Sequence, residues 1–135
     1  ESCKLFGLIL TEALAGKPKD QFVHIANSIV REQNINLLAS GSYLEKPLDL
    51  IKGSGYCVES LEAALWCFHK NDTFSATVLA AANLGDDADT TSAIAGQIAG
   101  AYYGYNGILD TWLSKLHLRD KIQSLAQELY DQSVC

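Results

Sequence analysis

The stretch from Leu84 to Gly104 constrains this chain more than any other. Asp86, Asp87 and Asp89 place three carboxylates beside the hydroxyls of Thr90 and Thr91, and a nearly uncharged run of small residues follows at once. Gly96, Gly100 and Gly104 recur every four residues, so on a helix they share one face. Glycine costs about 1 kcal/mol per helix-interior position relative to alanine, so the repeat implies a geometric constraint. In a membrane helix this spacing would suggest dimerisation, but the segment is too short to span and carries Gln97. The spacing instead predicts a helix over 89–103, closely packed in an all-α core and stopped by Gly104. The acidic run at its start has two readings. Asp is favoured at N-caps and in first turns, where it meets free N–H groups and the positive end of the helix dipole. Three carboxylates so close together also repel one another, and a bound cation would offset that cost. Asp87, Asp89 and Thr90 could converge on one hard ion such as Mg²⁺, Ca²⁺ or Mn²⁺. An EF-hand is excluded, because Ser92 and Ile98 would fall where that loop needs Gly and Glu.

Helical periodicity runs through most of the remaining chain. Leu5, Leu8, Ile9, Glu12 and Ala13 predict a helix over 3–15, stopped by Gly16 and Pro18. Asp20 is a candidate N-cap for a helix to about Glu32, with Phe22, Val23, Ile25, Ala26, Ile29 and Val30 as its apolar stripe and His24 close to it as a core or surface histidine rather than a catalytic one. Residues 33–56 are punctuated by Gly41, Pro47, Gly53 and Gly55 and read as a long irregular segment. A helix over 58–69 should bury Val58, Leu61, Ala64, Leu65 and Phe68 and turn Glu59 and Glu62 to solvent. A helix over 74–83, capped by Thr73, is apolar enough to be buried on most sides. Trp112 should point inward from a short helix over 109–116. Ile122, Leu125, Ala126 and Leu129 should do so from a last helix over 120–130. No segment reads as a strand.

At 135 residues the chain has the size of one domain. Its net charge of −6 and lack of a Lys/Arg run argue against a nucleic-acid partner. No apolar run is long enough for a membrane span and no signal peptide is visible, so the expectation is a cytoplasmic protein with no membrane partner. Cys3, Cys57, Cys67 and Cys135 form no CxxC pair and read as free thiols. The chain contains no Met and opens on Glu1-Ser2-Cys3, which suggests a fragment, a processed chain or one half of a larger fold.

The run Gly85-Asp86-Asp87-Ala88-Asp89-Thr90-Thr91-Ser92-Ala93-Ile94-Ala95-Gly96-Gln97-Ile98-Ala99-Gly100-Ala101-Tyr102-Tyr103-Gly104 resembles the C-terminal signature of the ADP-ribosylglycohydrolases. That family includes dinitrogenase reductase-activating glycohydrolase. Its signature reads Gly-Gly-Asp-x-Asp-Thr, followed by the same small-residue helix. The segment from Gly53 to Phe68 is similar to the family's helix before the site, and the likeness covers at least residues 53–116.

The resemblance implies a compact, all-α, multi-helix orthogonal bundle. It implies two Mg²⁺ or Mn²⁺ ions held in part by Asp87, Asp89 and Thr90, with Asp87 and Asp89 as the catalytic carboxylates. Gly53, Ser54, Gly55 and Tyr56 would line the ADP-ribose site. The reaction implied is hydrolysis of the glycosidic bond between ADP-ribose and an acceptor, such as a modified protein side chain or a small molecule. Two departures stand out: Asp86 replaces the second Gly, and the family's N-terminal Thr-Asp-Asp run is missing. The family is roughly twice as long, in line with its larger core. Residues 1–135 therefore resemble the C-terminal portion of one such domain. A second chain could carry the other half, and this chain by itself is expected to be inactive. The competing expectations are a catalytically inactive structural or ligand-binding module of the same fold and a helical interaction domain.

Overall fold

The computed structural model describes residues 1–24 and 32–133. Among them are seven α-helices and no strand: α1 (Ser2–Leu14), α2 (Gln33–Ala39), α3 (Cys57–Lys70), α4 (Phe74–Ala82), α5 (Ala88–Tyr103), α6 (Asp110–Leu113) and α7 (Arg119–Ser133). The fold is all-α, as the periodicity predicts. α3 and α5 pack together at the centre, α4 lies against both, and α1 lies against α5 and α3. The core joins Leu5 and Ile9 of α1, Leu61, Leu65 and Phe68 of α3, and Ile98 and Ala99 of α5. The α1 and α3 sets fall at three- or four-residue spacing, as do the buried Thr91, Ala95 and Ile98 of α5, so each of these helices commits one stripe to the interior.

One end of α3 is closed by Lys19. Its ammonium donates to the carbonyl oxygens of Phe68 and Asn71 and lies 4.6 Å from the centre of the Phe68 ring and 5.3 Å from that of Tyr103. A cation belongs at a helix C-terminus, and the aromatic faces add attraction to its charge. His69 lies alongside. Its Nδ1 lies 3.0 Å from the Leu65 carbonyl oxygen and 3.1 Å from the Tyr43 hydroxyl, and its Nε2 lies 3.1 Å from the Lys19 carbonyl oxygen. Burial lowers the pKa of His69 below 6.5, and the charges of Lys19 and Lys70 lower it further; backbone contacts to Leu65 and Lys19 oppose this. A histidine with a depressed folded pKa takes up more protons when unfolded. Its contribution is therefore intact above about pH 6.5 and is lost as the pH falls below that value. The urea midpoint should drop between pH 7.5 and 5.5, and His69→Gln should flatten that dependence.

Several expectations are corrected. Residues 33–56 are not one long irregular segment. They contain α2 and two 3-10 turns, Ser42–Glu45 and Leu48–Leu50, leaving 51–56 as the irregular part. Gly41 punctuates this region through its left-handed backbone, and it sits between α2 and the first 3-10 turn rather than dissolving structure. The helix expected over 20–32 begins instead as a 3-10 helix, Lys19–His24, in which Phe22 is buried; residues 25–31 of that expectation lie outside the described residues. α4 is not buried on most sides: only Thr77 and Ala81 are fully covered, and Leu79 is exposed. A uniformly apolar helix carries no phase to say which side is covered.

The largest correction concerns α7. Ile122, Leu125 and Leu129 are 50, 50 and 70 % exposed, and Ala126 is exposed too. Its periodicity is real, but no described element packs over that face.

The glycine ladder also behaves differently from its spacing. A Cβ at Gly96 would lie 3.7 Å from Val78 Cγ2, and one at Gly100 would lie 3.8 Å from Phe74 Cε2. Both are ordinary contacts with α4 side chains, so no backbone needs the glycine. Gly96→Ala should therefore stabilise the fold by up to about 1 kcal/mol, read as a higher urea midpoint. A lower midpoint would restore the close-backbone reading.

Candidate functional site

α5 begins where the acidic run ends. Gly85 and Asp86 both adopt left-handed backbone (φ 75° and 55°) and turn the chain from α4 into α5. The φ of Asp86 shows why a glycine suits this position: a side chain resists that conformation, and Asp is one of the few that tolerate it. Asp86 itself is exposed. Asp87 is the N-cap residue of α5, yet its side chain makes no capping hydrogen bond. The first-turn N–H groups are met instead by the Asp89 carboxyl, which takes those of Asp89 and Thr90.

Asp87 is half-buried, and Asp89 and Thr90, on the first turn of α5, are exposed. The Asp89 carboxyl is held below its usual value by a hydrogen bond with the Asp87 side chain, and then by the N–H groups of Thr90 and of Asp89 itself. Two carboxylates this close repel one another, and a bound cation would relieve that repulsion. This donor set of two carboxylates and a threonine hydroxyl is hard and all-oxygen, which fits Mg²⁺ or Mn²⁺. Among the described residues, no group of three or more His, Cys, Asp or Glu side chains is gathered as a metal site. Asp87 and Asp89 are thus a pair.

The resemblance implies that Gly53, Ser54, Gly55 and Tyr56 line the ADP-ribose site, and the fold sets Gly53 and Gly55 of that loop against Asp87. The Asp87 N–H donates to the Gly53 carbonyl at 2.8 Å. A Cβ on Gly53 would lie 3.2 Å from the Gly85 carbonyl oxygen and 3.3 Å from Thr91 Oγ1; one on Gly55 would lie 3.3 Å from Asp87 Oδ2. Here, unlike on α5, the absence of a side chain permits a close approach. Thr91 Oγ1 is fully buried with no hydrogen-bond partner among the described residues. The N–H groups of Ser54 and Gly55 enter no backbone bond among the described residues. The Tyr56 ring is 56 % exposed. A cavity of about 210 Å³ opens beside Thr90 and Gly55, walled by Phe6, Leu61 and Ile94 and by the thiol-bearing Cys3 and Cys57.

Two glutamates of α3 depart from expectation. Glu59, expected to face solvent, is half-buried and accepts a hydrogen bond from Ser54 Oγ. Glu62, expected outside as well, is half-buried in an ion pair with Lys46 at 2.7 Å.

The chain has relatives of known class. It is 42% identical over 131 residues to the ADP-ribosylarginine hydrolase Tri1 of Serratia proteamaculans, covering 96% of this chain and 35% of that protein. It is 41% identical to the Pseudomonas putida protein of the same name, again over 131 residues, 97% of this chain and 35% of that one. Over 68 residues, half of this chain and 23% of the relative, it is 41% identical to the ADP-ribosyl-[dinitrogen reductase] glycohydrolase of Rhodospirillum rubrum. A solved structure described as an ADP-ribosylglycohydrolase-related protein complex superposes on 98% of this chain with a TM-score of 0.89 and 36% identity. This chain covers 46% of that one. The chain thus spans about a third of the length of the curated relatives it matches most fully. The sequence profile of the ADP-ribosylglycohydrolases matches residues 1–134, and the chain belongs to that family.

Proposed function

We propose that this chain supplies the Asp87/Asp89 part of an enzyme that hydrolyses the glycosidic bond between ADP-ribose and an acceptor, most simply a modified protein side chain. The observation that carries the reading is the packing of the Gly53–Tyr56 loop onto Asp87, which sets a backbone-rich surface directly against paired carboxylates. The relatives named as ADP-ribosylarginine hydrolases support the reaction class.

Asp87, Asp89 and Thr90 would hold Mg²⁺ or Mn²⁺, two ions in the completed site. Bound there, such ions supply a Lewis acid for the ribose hydroxyls and a water of lowered pKa. The chain's own residues have separate tasks. Asp89, kept ionised by its neighbours, supplies negative charge where the ribose becomes positive as the bond breaks. Ser54 and Gly55 offer N–H groups to phosphate oxygens. The exposed Tyr56 ring covers a ring of the ligand.

Two carboxylates and one hydroxyl do not fill the coordination of two hard ions. α7, moreover, leaves an apolar face uncovered among the described residues. Both features support a C-terminal portion completed by further polypeptide, in the same chain or in a second one. The test is release of ADP-ribose from an ADP-ribosylated protein by the full-length enzyme. Release should depend on Mg²⁺ or Mn²⁺ and cease with a chelator, while residues 1–135 alone should release none. A full-length protein that binds neither divalent ions nor ADP-ribose by calorimetry would instead be an inactive module of this fold.

A further inference from the structure

The Gly53–Tyr56 loop is tied to the protein at two ends by different means. At one end the Gly53 carbonyl accepts from the Asp87 N–H at 2.8 Å. At the other, the Ser54 hydroxyl donates its single proton to Glu59 Oε2, which leaves its lone pairs to accept the Tyr56 N–H at 3.2 Å. Glu59 lies on the first turn of α3, where a carboxylate suits the helix dipole. The same turn is held from below: Ser60 Oγ donates to the Tyr56 carbonyl at 3.2 Å. The Ser54 rotor is therefore set by Glu59, and the Ser54 rotor in turn sets the Tyr56 amide. Without a fixed acceptor for its proton, the hydroxyl would turn freely and the Tyr56 N–H would lose a pre-aimed partner.

We infer that Glu59 is a positioning residue for the ligand site: through Ser54 it fixes where Tyr56 and the loop N–H groups stand relative to Asp87. This rests on the reading of the Gly53–Tyr56 loop as the ADP-ribose wall. Glu59 touches neither the ligand nor Asp87 on this account. It removes alternative loop conformations before binding, which raises affinity without a new contact. Its loss should therefore act on ligand binding and spare the metal-binding carboxylates.

The experiment compares wild type, Glu59→Ala and Glu59→Gln in the full-length protein. Glu59→Ala should weaken ADP-ribose binding by about tenfold in calorimetry, the scale of one lost hydrogen bond. KM should rise by a similar factor with kcat little changed, and Mn²⁺ affinity should stay within about twofold, as expected for a change outside the carboxylate pair. Amide exchange at Tyr56 should accelerate by about tenfold on the same scale. Glu59→Gln keeps an acceptor oxygen for Ser54 and should recover most of each loss. Unchanged Tyr56 exchange in Glu59→Ala overturns the inference. So does a loss of Mn²⁺ affinity as large as the loss of ADP-ribose affinity, or a glutamine variant as impaired as the alanine one. Should wild type bind no ADP-ribose, the proposed function falls, and exchange at Tyr56 still decides whether Glu59 holds the loop.

Discussion

Replacing Asp89 by alanine is expected to lower metal-dependent release of ADP-ribose by at least about a hundredfold, since loss of even an outer partner of a metal site costs ten- to a hundredfold. Asp89 is exposed on the first turn of α5, and its pKa is lowered by the hydrogen bond with Asp87 and by the N–H groups of Thr90 and Asp89. Removing it leaves the core untouched, so helix content and the urea midpoint should barely move. Mn²⁺ binding, titrated by calorimetry, should fall with activity. Asp89→Asn keeps the shape and loses the charge, and it should fail nearly as badly if charge is what the site uses. Turnover unchanged in Asp89→Ala would remove Asp89 from the site and with it the paired-carboxylate reading.

Phe68→Ala should cost about 3–5 kcal/mol of stability, the range for emptying a buried aromatic site. The Phe68 ring is fully buried, lies 5.9 Å from Phe22 in a stacked arrangement and meets Tyr102 edge-on at 5.3 Å. It is also the nearest aromatic face to the Lys19 ammonium. Truncation thus opens a cavity between α3 and α5 and removes a ring that helps hold the cation at the end of α3. Domains of this kind are stable by only about 5–15 kcal/mol, so the variant should remain folded at low temperature and unfold early in urea. A shift of less than about 1 kcal/mol would mean that the surrounding aromatics collapse to fill the space, at the low end of what relaxation allows.

Asp89 and Phe68 differ in how far the sequence reveals them. The acidic run announces itself through three carboxylates in four positions, and its helix start through the small-residue run that follows. Phe68 is legible through its spacing from Leu61, Ala64 and Leu65, all of which are buried as that spacing predicts. Glu59 was not legible. A first-turn glutamate is ordinarily a solvated helix residue, and its bond to Ser54 depends on how the loop folds back, which no periodicity encodes. The same limit explains the ladder of Gly96 and Gly100. Their spacing fixes a shared face, but whether backbone or side chains meet that face depends on α4.

α7 makes the division plain. Ile122, Leu125 and Leu129 recur at helical spacing, and a helix forms there; whether anything covers them is a matter of distant neighbours. What the sequence by itself determined is therefore local: most of the helices, the apolar stripes of α1 and α3, and the acidic run that opens α5. Each depends on residues within a turn or two of one another. Tertiary structure alone decided which stripes are buried, that Asp87 caps nothing with its side chain, and that the Gly53–Tyr56 loop lies against it. These features join residues far apart along the chain, and only the packing of α3 against α5 sets their distance.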